Sequence, residues 1–232
     1  MGMVRIVLKV LLAIIVVLVA LVGGYVIYLQ LNYGRIADNL ELDVDYFSVA
    51  ENKIVDSEAD SAVSPEEHAL AANTKYVAFT FNIGFGAYDK DFSFFMDKGA
   101  MKDGTETVGS ESRAASKEAA TRNTEAVIRQ TLGEDPDIAL FQEADVSADR
   151  SYNVNQTRMI TDAFTQNALL ATGGTELLSW SYATNFHTAY LFYPPTKPIG
   201  YIRDSGLLTI SKYMIDSAVR RSFPVSDAFP TK

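Results

Sequence analysis

Three polar residues follow apolar runs whose composition is typical of buried strands. Asn82 lies near the end of "YVAFTFNI", residues 76–83, a run expected to be buried on both faces, and Gln142 and Glu143 end "DIALFQE", residues 137–143. A carboxylate and an amide at neighbouring strand ends offer the oxygen ligands that Mg²⁺ prefers, with waters completing its coordination. Strands also commonly finish in polar residues at a protein surface, so a metal site and a plain strand end both stay open.

The segment between the two runs predicts how they lie in space. A polar, glycine-bearing loop over residues 84–115 precedes a predicted helix, for which Ser116 is the N-cap and Gly133 marks the end. Strand, helix and strand in this order predict two parallel strands whose C-terminal ends share one edge of a sheet. The sequence therefore predicts that Asn82 and Glu143 lie close together.

The rest of the chain predicts an α/β protein in which strands dominate towards the C-terminus. A second helix is expected over residues 156–170, where apolar residues recur at helical spacing. Strands are then expected at "LLSWSYAT", "TAYLFYP" and "GLLTISKY", residues 177–184, 188–194 and 206–213.

An uncharged apolar stretch near the N-terminus predicts a membrane span. Residues 10–29 are twenty in number and carry no charge, which is about the length of a helix that crosses a hydrocarbon core. Arg5 and Lys9 precede the stretch and acidic residues follow it, so the N-terminus is expected in the cytoplasm and the main domain outside it. A cleaved signal peptide is the alternative, but its apolar region is usually shorter, ~7 to 15 residues.

The formal net charge of −9 is concentrated in one part of the chain. Residues 38–67 hold ten acids and one base, Lys53, which gives 1 − 10 = −9, whereas residues 68–232 hold nineteen acids and sixteen bases, which gives −3. Residues 1–31 are therefore expected to form the cytoplasmic tip and anchor, and residues 32–74 an acidic extracytoplasmic linker. Such a balance does not favour nucleic acid as a partner, because a basic stripe is missing.

Three segments resemble the endonuclease/exonuclease/phosphatase family of metal-dependent phosphoesterases. They are "FTFNIGFGAY" at 79–88, "DPDIALFQEAD" at 135–145 and "SGLLTISKYMI" at 205–215, and the similarity extends over about residues 75–225. The resemblance implies a four-layer α/β/β/α sandwich, of which residues 75–232 supply the N-terminal part. It also implies hydrolysis of a phosphodiester or phosphomonoester by in-line attack of water, with Mg²⁺ as cofactor and Mn²⁺ as the alternative.

The resemblance assigns roles to the three polar residues. Glu143 matches the family's metal-binding glutamate, and Asn82 matches the asparagine that ends the first strand and organises the metal or phosphate site. Both are therefore expected to be catalytic residues and metal ligands. Gln142 is expected to steady the carboxylate by a hydrogen bond.

Four further residues are candidates for substrate binding. Arg150 and Tyr152 in "DRSYN" combine a guanidinium with hydroxyl groups that can hold a phosphate, and Asn185 and His187 in "ATNFHTAY" can reach the same edge from a later strand. An ordinary solvated loop explains the first pair equally well. A hydrogen-bonded structural histidine is the more common explanation for a lone histidine.

The sequence also departs from the family pattern. The Asp-x-Asn and Asp-His motifs that family members carry further along are absent, and residues 75–232 number 158, where such a domain usually needs ~200 to 250. The expectation is an N-terminal part of a longer enzyme, inactive by itself. A non-catalytic surface binding or structural module on the same scaffold is the alternative, and the class of phosphate-ester substrate stays open.

Overall fold

The computed structural model describes residues 2–49, 52–55, 69–171 and 177–224 of the 232. Within these ranges the chain has a mixed α/β fold preceded by one long helix. The "SEADSAVSPEEH" portion of the predicted linker, residues 57–68, lies outside the described residues, as does the end of the chain from residue 225. The predicted α/β class is confirmed.

Three α-helices lie in the described ranges: α1 Gly2–Leu31, α2 Lys117–Gly133 and α3 Gln156–Leu170. α2 begins where the sequence predicts, because the Ser116 side chain accepts a hydrogen bond from the Ala119 N–H at 3.1 Å. α1 has no buried side chain, and it is long and apolar enough to cross a membrane.

The strands in these ranges are β1 Leu40–Leu42, β2 Val44–Ser48, β3 Lys53–Val55, β4 Ala78–Asn82, β5 Lys98–Ala100, β6 Glu106–Val108, β7 Ile138–Ala148, β8 Leu177–Leu191, β9 Gly200–Ser211 and β10 Ala218–Arg220. Six of them form one mixed sheet in the order β3-β2-β8-β9-β7-β4, while β5 pairs with β6 and β1 pairs with β10. β4 and β7 are parallel, as the strand–helix–strand pattern predicts, and the other neighbours are antiparallel.

Both α2 and α3 pack on one face of the large sheet. Their buried side chains, such as Ile128 and Phe164, form a core with Phe141 of β7 and Leu208 and Ile210 of β9. The opposite face is only partly covered, by the segment that leads into β10. The described residues therefore form a sheet with helices on one side, and the four-layer sandwich is not confirmed.

Part of the predicted acidic linker belongs to the folded unit. β2 pairs with β8 from Val44 to Ser48, and Tyr46 and Phe47 are buried. The sequence-based prediction of a solvated linker over residues 32–74 is wrong for this strand. Its acidic neighbours lie on exposed positions, so the charge count over a long window concealed two core side chains.

The prediction that β4 is buried on both faces is also wrong. β4 is an edge strand, and its alternate residues Ala78, Thr80 and Asn82 are exposed. β8 is one continuous strand rather than the two that were predicted, and β7 continues past Glu143 to Ala148. Neighbouring strands extend these pairings further than local composition indicates.

Candidate functional site

β7 contains a β-bulge at the predicted metal ligand. Phe141 pairs with Leu208 and Ala144 with Gly206, so Gln142 and Glu143 together oppose a single residue of β9. Glu143 has φ 55°, in the left-handed region that a non-glycine residue adopts only at a cost of ~1 kcal/mol or more. Backbone strain of this kind is concentrated at functional sites, where the surrounding structure maintains it.

Glu143 and Asn82 are in contact. Asn82 Nδ2 donates a hydrogen bond to Glu143 Oε1 at 3.0 Å, and Asn82 Oδ1 accepts one from the Gly84 N–H at 2.9 Å. Because a backbone N–H can only donate, this second bond fixes the orientation of the amide and directs its NH₂ group at the carboxylate. The structure therefore brings together the two residues that the sequence placed at one sheet edge.

Gln142 has a different partner from the one expected. Its Nε2 donates to Thr80 Oγ1 at 3.2 Å and to the Leu140 carbonyl at 3.1 Å. The first bond connects β7 to β4, and the second stays within β7. Gln142 thus supports the strand pairing beside the site and is not placed to steady the Glu143 carboxylate.

Arg150 is buried and its charge is neutralised inside the protein. Nε and Nη2 bind the two oxygens of Asp145 at 3.1 and 2.8 Å, and Nη2 also donates to Ser205 Oγ at 3.0 Å. The guanidinium lies 4.0 Å from the centre of the Phe85 ring. This network stabilises the turn after β7, so Arg150 is not the open phosphate contact that the sequence predicted.

Tyr152 also packs within that turn. Its hydroxyl donates to the Ala115 carbonyl at 3.4 Å, and the Arg113 guanidinium lies 5.0 Å from the centre of its ring. Tyr152 has φ 56° and ends a short 3₁₀ turn, Asp149–Ser151. The structure therefore places Tyr152 in a loop contact and not beside Glu143.

Asn185 and His187 line a separate recess. Its volume is about 650 Å³, and most of its lining comes from residues 33–38, which follow α1, and from residues 220–223. His187 Cε1 would lie 3.5 Å from a Cβ added at Gly34. The lining does not include the Asn82–Glu143 pair, so the structure does not bring these two candidates to the predicted site.

Tyr88 flanks the pair and was not singled out by the sequence. Its ring lies against the backbone next to Asn82, since a Cβ added at Gly84 would come within 2.3 Å of Tyr88 Cδ2. Burial, followed by the negative charges of Asp97 and Glu143, raises the pKa of the Tyr88 hydroxyl. The hydroxyl therefore stays protonated at neutral pH and can donate a hydrogen bond to an anionic oxygen.

A second polar network lies on the neighbouring strands and was also missed. Tyr182 and Thr184 of β8 donate to Asp204 Oδ1 at 3.0 and 2.7 Å. Burial and then the nearby Asp204 and Asp145 carboxylates raise the pKa of Tyr182, which keeps it a donor. The alternation of side chains along β8 could have indicated that Tyr182 and Thr184 share one face. It does not reveal that the acceptor, Asp204, comes from β9.

The oxygen ligand that the site offers to a cation is the Glu143 carboxylate. The Asn82 NH₂ group faces that carboxylate and the Asn82 amide oxygen accepts from the Gly84 N–H, so Asn82 orients Glu143 and is not placed as the metal ligand that the sequence predicted. In the part of the chain that the structure describes, no three or more Asp, Glu or His side chains are grouped so that they can hold a metal ion. Mg²⁺ is often held by one or two carboxylates together with waters and substrate phosphates. The pair therefore fits a Mg²⁺ site that substrate completes, and not a site closed by protein ligands alone.

Comparisons with known proteins add no family. No family model, no curated protein and no solved structure matches the chain. The class that the structure defines is a mixed α/β protein with an N-terminal helix long and apolar enough to span a membrane. Membership of the phosphoesterase family stays a prediction from the three motifs.

Proposed function

We propose that the protein is a membrane-tethered, extracytoplasmic, Mg²⁺-dependent phosphoesterase with its site at Asn82 and Glu143. The observation that carries the proposal is the strained Glu143 of the β7 bulge, hydrogen-bonded to Asn82 at the end of the parallel neighbour β4. Arg5 and Lys9 stay in the cytoplasm in this proposal, and the sheet lies on the other side of the membrane.

The two side chains divide the work at the site. Asn82 holds Glu143 Oε1 by its hydrogen bond, which orients the carboxylate and leaves Oε2 for a cation. Mg²⁺, when bound, supplies positive charge that stabilises the phosphoryl oxygens while water attacks in line. The Tyr88 ring packs against Gly84, and its protonated hydroxyl can donate to a phosphoryl oxygen of a substrate held at Glu143.

The uncovered face of the sheet supports the sandwich that the family resemblance implies. Leu140 of β7 and Leu207 of β9 are 37% and 40% exposed on that face. Apolar side chains in the middle of a sheet are normally covered by another layer. We propose that a second sheet packs there and completes a four-layer α/β/β/α sandwich.

The 232 residues contain neither an Asp-x-Asn nor an Asp-His motif, so turnover is expected to be low. Metal binding is therefore the most direct test of the proposed site. Thermal unfolding of the full chain in detergent is followed as MgCl₂ is added. Mg²⁺ at ten times its Kd should stabilise the wild type by about 1.4 kcal/mol. Glu143→Gln should lose this shift. Glu125→Gln, which replaces an exposed carboxylate of α2, should keep it.

The same variants are then assayed with bis(p-nitrophenyl) phosphate. Any Mg²⁺-dependent release of p-nitrophenol by the wild type should disappear in Glu143→Gln. A Mg²⁺ shift that survives in Glu143→Gln, or one that Glu125→Gln also loses, would remove Glu143 from the metal site.

One observation favours a non-catalytic surface module as the second candidate. The described residues contain no group of three metal-binding side chains, and Glu143 is the one carboxylate of the pair. A protein of this kind would show no Mg²⁺ stabilisation at any concentration and no hydrolysis. The thermal titration therefore separates the two candidates directly.

A further inference from the structure

The last turns of α1 are hydrogen-bonded to the end of β8. The Tyr25 hydroxyl donates to the Tyr190 carbonyl at 3.1 Å and accepts from the Phe192 N–H at 2.8 Å. The Tyr28 hydroxyl accepts from the Tyr190 N–H at 3.3 Å. Three bonds to the backbone of Tyr190 and Phe192 fix the height of this strand end along the axis of α1.

That height corresponds to the surface of the bilayer. Residues 10–29 form the uncharged stretch after Lys9, and at 1.5 Å per residue they rise about 30 Å, the thickness of a hydrocarbon core. Tyr25 and Tyr28 lie within the last ~6 Å of this rise, at the level where tyrosine rings are enriched in membrane proteins. The β8 end bonded to them lies at the same level.

Large side chains next to that strand end are exposed. We define the aromatic surface as the exposed Met96, Phe192 and Tyr193 together with the half-buried Phe95 and Tyr190. Met96, Phe192 and Tyr193 are 69%, 55% and 60% exposed, and the rings of Phe95 and Tyr193 are 5.3 Å apart. Exposed apolar side chains grouped in this way mark a contact surface. Since α1 holds them at the bilayer surface, the contact available to them is lipid.

An apolar cleft opens on the aromatic surface. Its volume is about 640 Å³, and its lining includes Phe95, Met96, Leu191, Tyr193, Ile199 and Ile202. Lys98, an exposed residue of the same lining, places a positive charge at the opening. Apolar walls below a cation fit the acyl chain and the phosphate of a lipid.

We propose that the aromatic surface docks the domain on the outer leaflet and that the cleft takes an acyl chain of a lipid from that leaflet. β4 and β7 run in the same direction as β8, so their C-terminal ends point towards the membrane. If the proposed function holds, a membrane lipid phosphoester is the substrate class, a consequence that rests on that function. The docking on the leaflet and the binding of the acyl chain rest only on the contacts described above.

Because the sequence contains no cysteine, one introduced cysteine carries the only label. The full chain is reconstituted in phosphatidylcholine/phosphatidylglycerol vesicles with a spin label at Phe192→Cys, Tyr193→Cys or Met96→Cys. Each label should collide more with oxygen than with a water-soluble nickel chelate. Glu134→Cys, at the opposite end of β7, is the aqueous control and should show the reverse. Labels at 192 and 193 as accessible to nickel as the label at 134 would overturn the docking.

The hydrogen bonds between α1 and the end of β8 are tested separately. The double variant Tyr25→Phe/Tyr28→Phe removes two hydroxyls and keeps both rings, and it should lower the oxygen-to-nickel collision ratio at positions 192 and 193 severalfold. Tyr76→Phe removes a hydroxyl bonded to Ala71, outside this contact, and should leave the ratio unchanged. An unchanged ratio in the double variant would show that α1 does not set the depth.

Occupation of the cleft is read with a fluorophore at Ile199→Cys. A lipid that carries a nitroxide on its acyl chain should quench this fluorophore, while iodide in the water should not. Quenching by iodide alone would mean that the cleft holds water and would overturn the lipid assignment. Because none of these measurements uses Mg²⁺ or Glu143, their failure is distinguishable from failure of the phosphoesterase proposal.

Discussion

Two carboxylates stand two positions apart on β7 and have opposite surroundings. Asp145 is fully buried, and both of its oxygens bind Arg150, while its N–H donates to Gln156 Oε1 at 2.9 Å. Glu143 is partly exposed, lies at a positive φ and has a neutral amide as its partner. A carboxylate whose charge is already neutralised supports the fold, whereas one whose partner is neutral keeps its charge available for a ligand.

The bulge produces this difference. In a regular strand residues 143 and 145 would point to the same face, with the same neighbours. The extra residue in β7 turns Glu143 towards β4, and Asp145 then points into the interior beside Arg150. One irregularity of the backbone thus separates an interior ion pair from a candidate site on the surface.

The largest effect is expected at the buried pair. Arg150→Ala leaves Asp145 buried without its charged partner, which should cost about 3 to 5 kcal/mol of unfolding free energy. Urea unfolding of the full chain in detergent measures it. Arg150→Lys keeps the charge and loses the two-point geometry, so it should lie between alanine and the wild type. A loss below about 1 kcal/mol in Arg150→Ala would contradict the structural role of the pair.

A smaller effect is expected opposite the bulge. Gly206 pairs with Ala144, and a Cβ added there would lie 2.1 Å from the Ala183 carbonyl oxygen. Gly206→Ala should therefore cost about 1 to 3 kcal/mol, because the backbone of β8 must move. It should also weaken the Mg²⁺ shift by displacing Glu143. Gly133→Ala, where an added Cβ meets nothing within 4 Å, is the matched control and should not destabilise.

The smallest effect is expected at a partly exposed ion pair. Lys197 Nζ lies 2.6 Å from Glu111 Oε2, and this hydrogen bond is the main reason that the pKa of Glu111 is lowered from 4.5. A lowered pKa means that the stabilisation is complete above 4.5 and disappears as the pH falls through the lower value of the folded state. Glu111→Gln should cost about 0.5 kcal/mol at neutral pH. Differential scanning calorimetry should show that the difference in stability between Glu111→Gln and the wild type disappears in acid. A difference that persists in acid would contradict the role given to this ion pair.

Several features were predictable from the sequence because they depend on neighbours along the chain. The Ser116 cap, the length of α1 and the strand–helix–strand order that makes β4 and β7 parallel all follow from local pattern. The contact between Asn82 and Glu143 follows from that order as well, since parallel strands end at the same edge.

Other features were decided by the tertiary structure. Local composition did not indicate that Val44–Ser48 joins the sheet, that Arg150 is neutralised by Asp145, or that β8 reaches α1 through Tyr25. Each of these depends on which distant segment packs alongside, and pairing across a sheet is set by burial and by available partners rather than by propensity. The sequence by itself therefore determined that Asn82 and Glu143 follow neighbouring parallel strands and meet at one edge of the sheet. The bulge that turns Glu143 outward was decided only when β7 packed between β4 and β9, because a strained φ persists only where surrounding contacts maintain it.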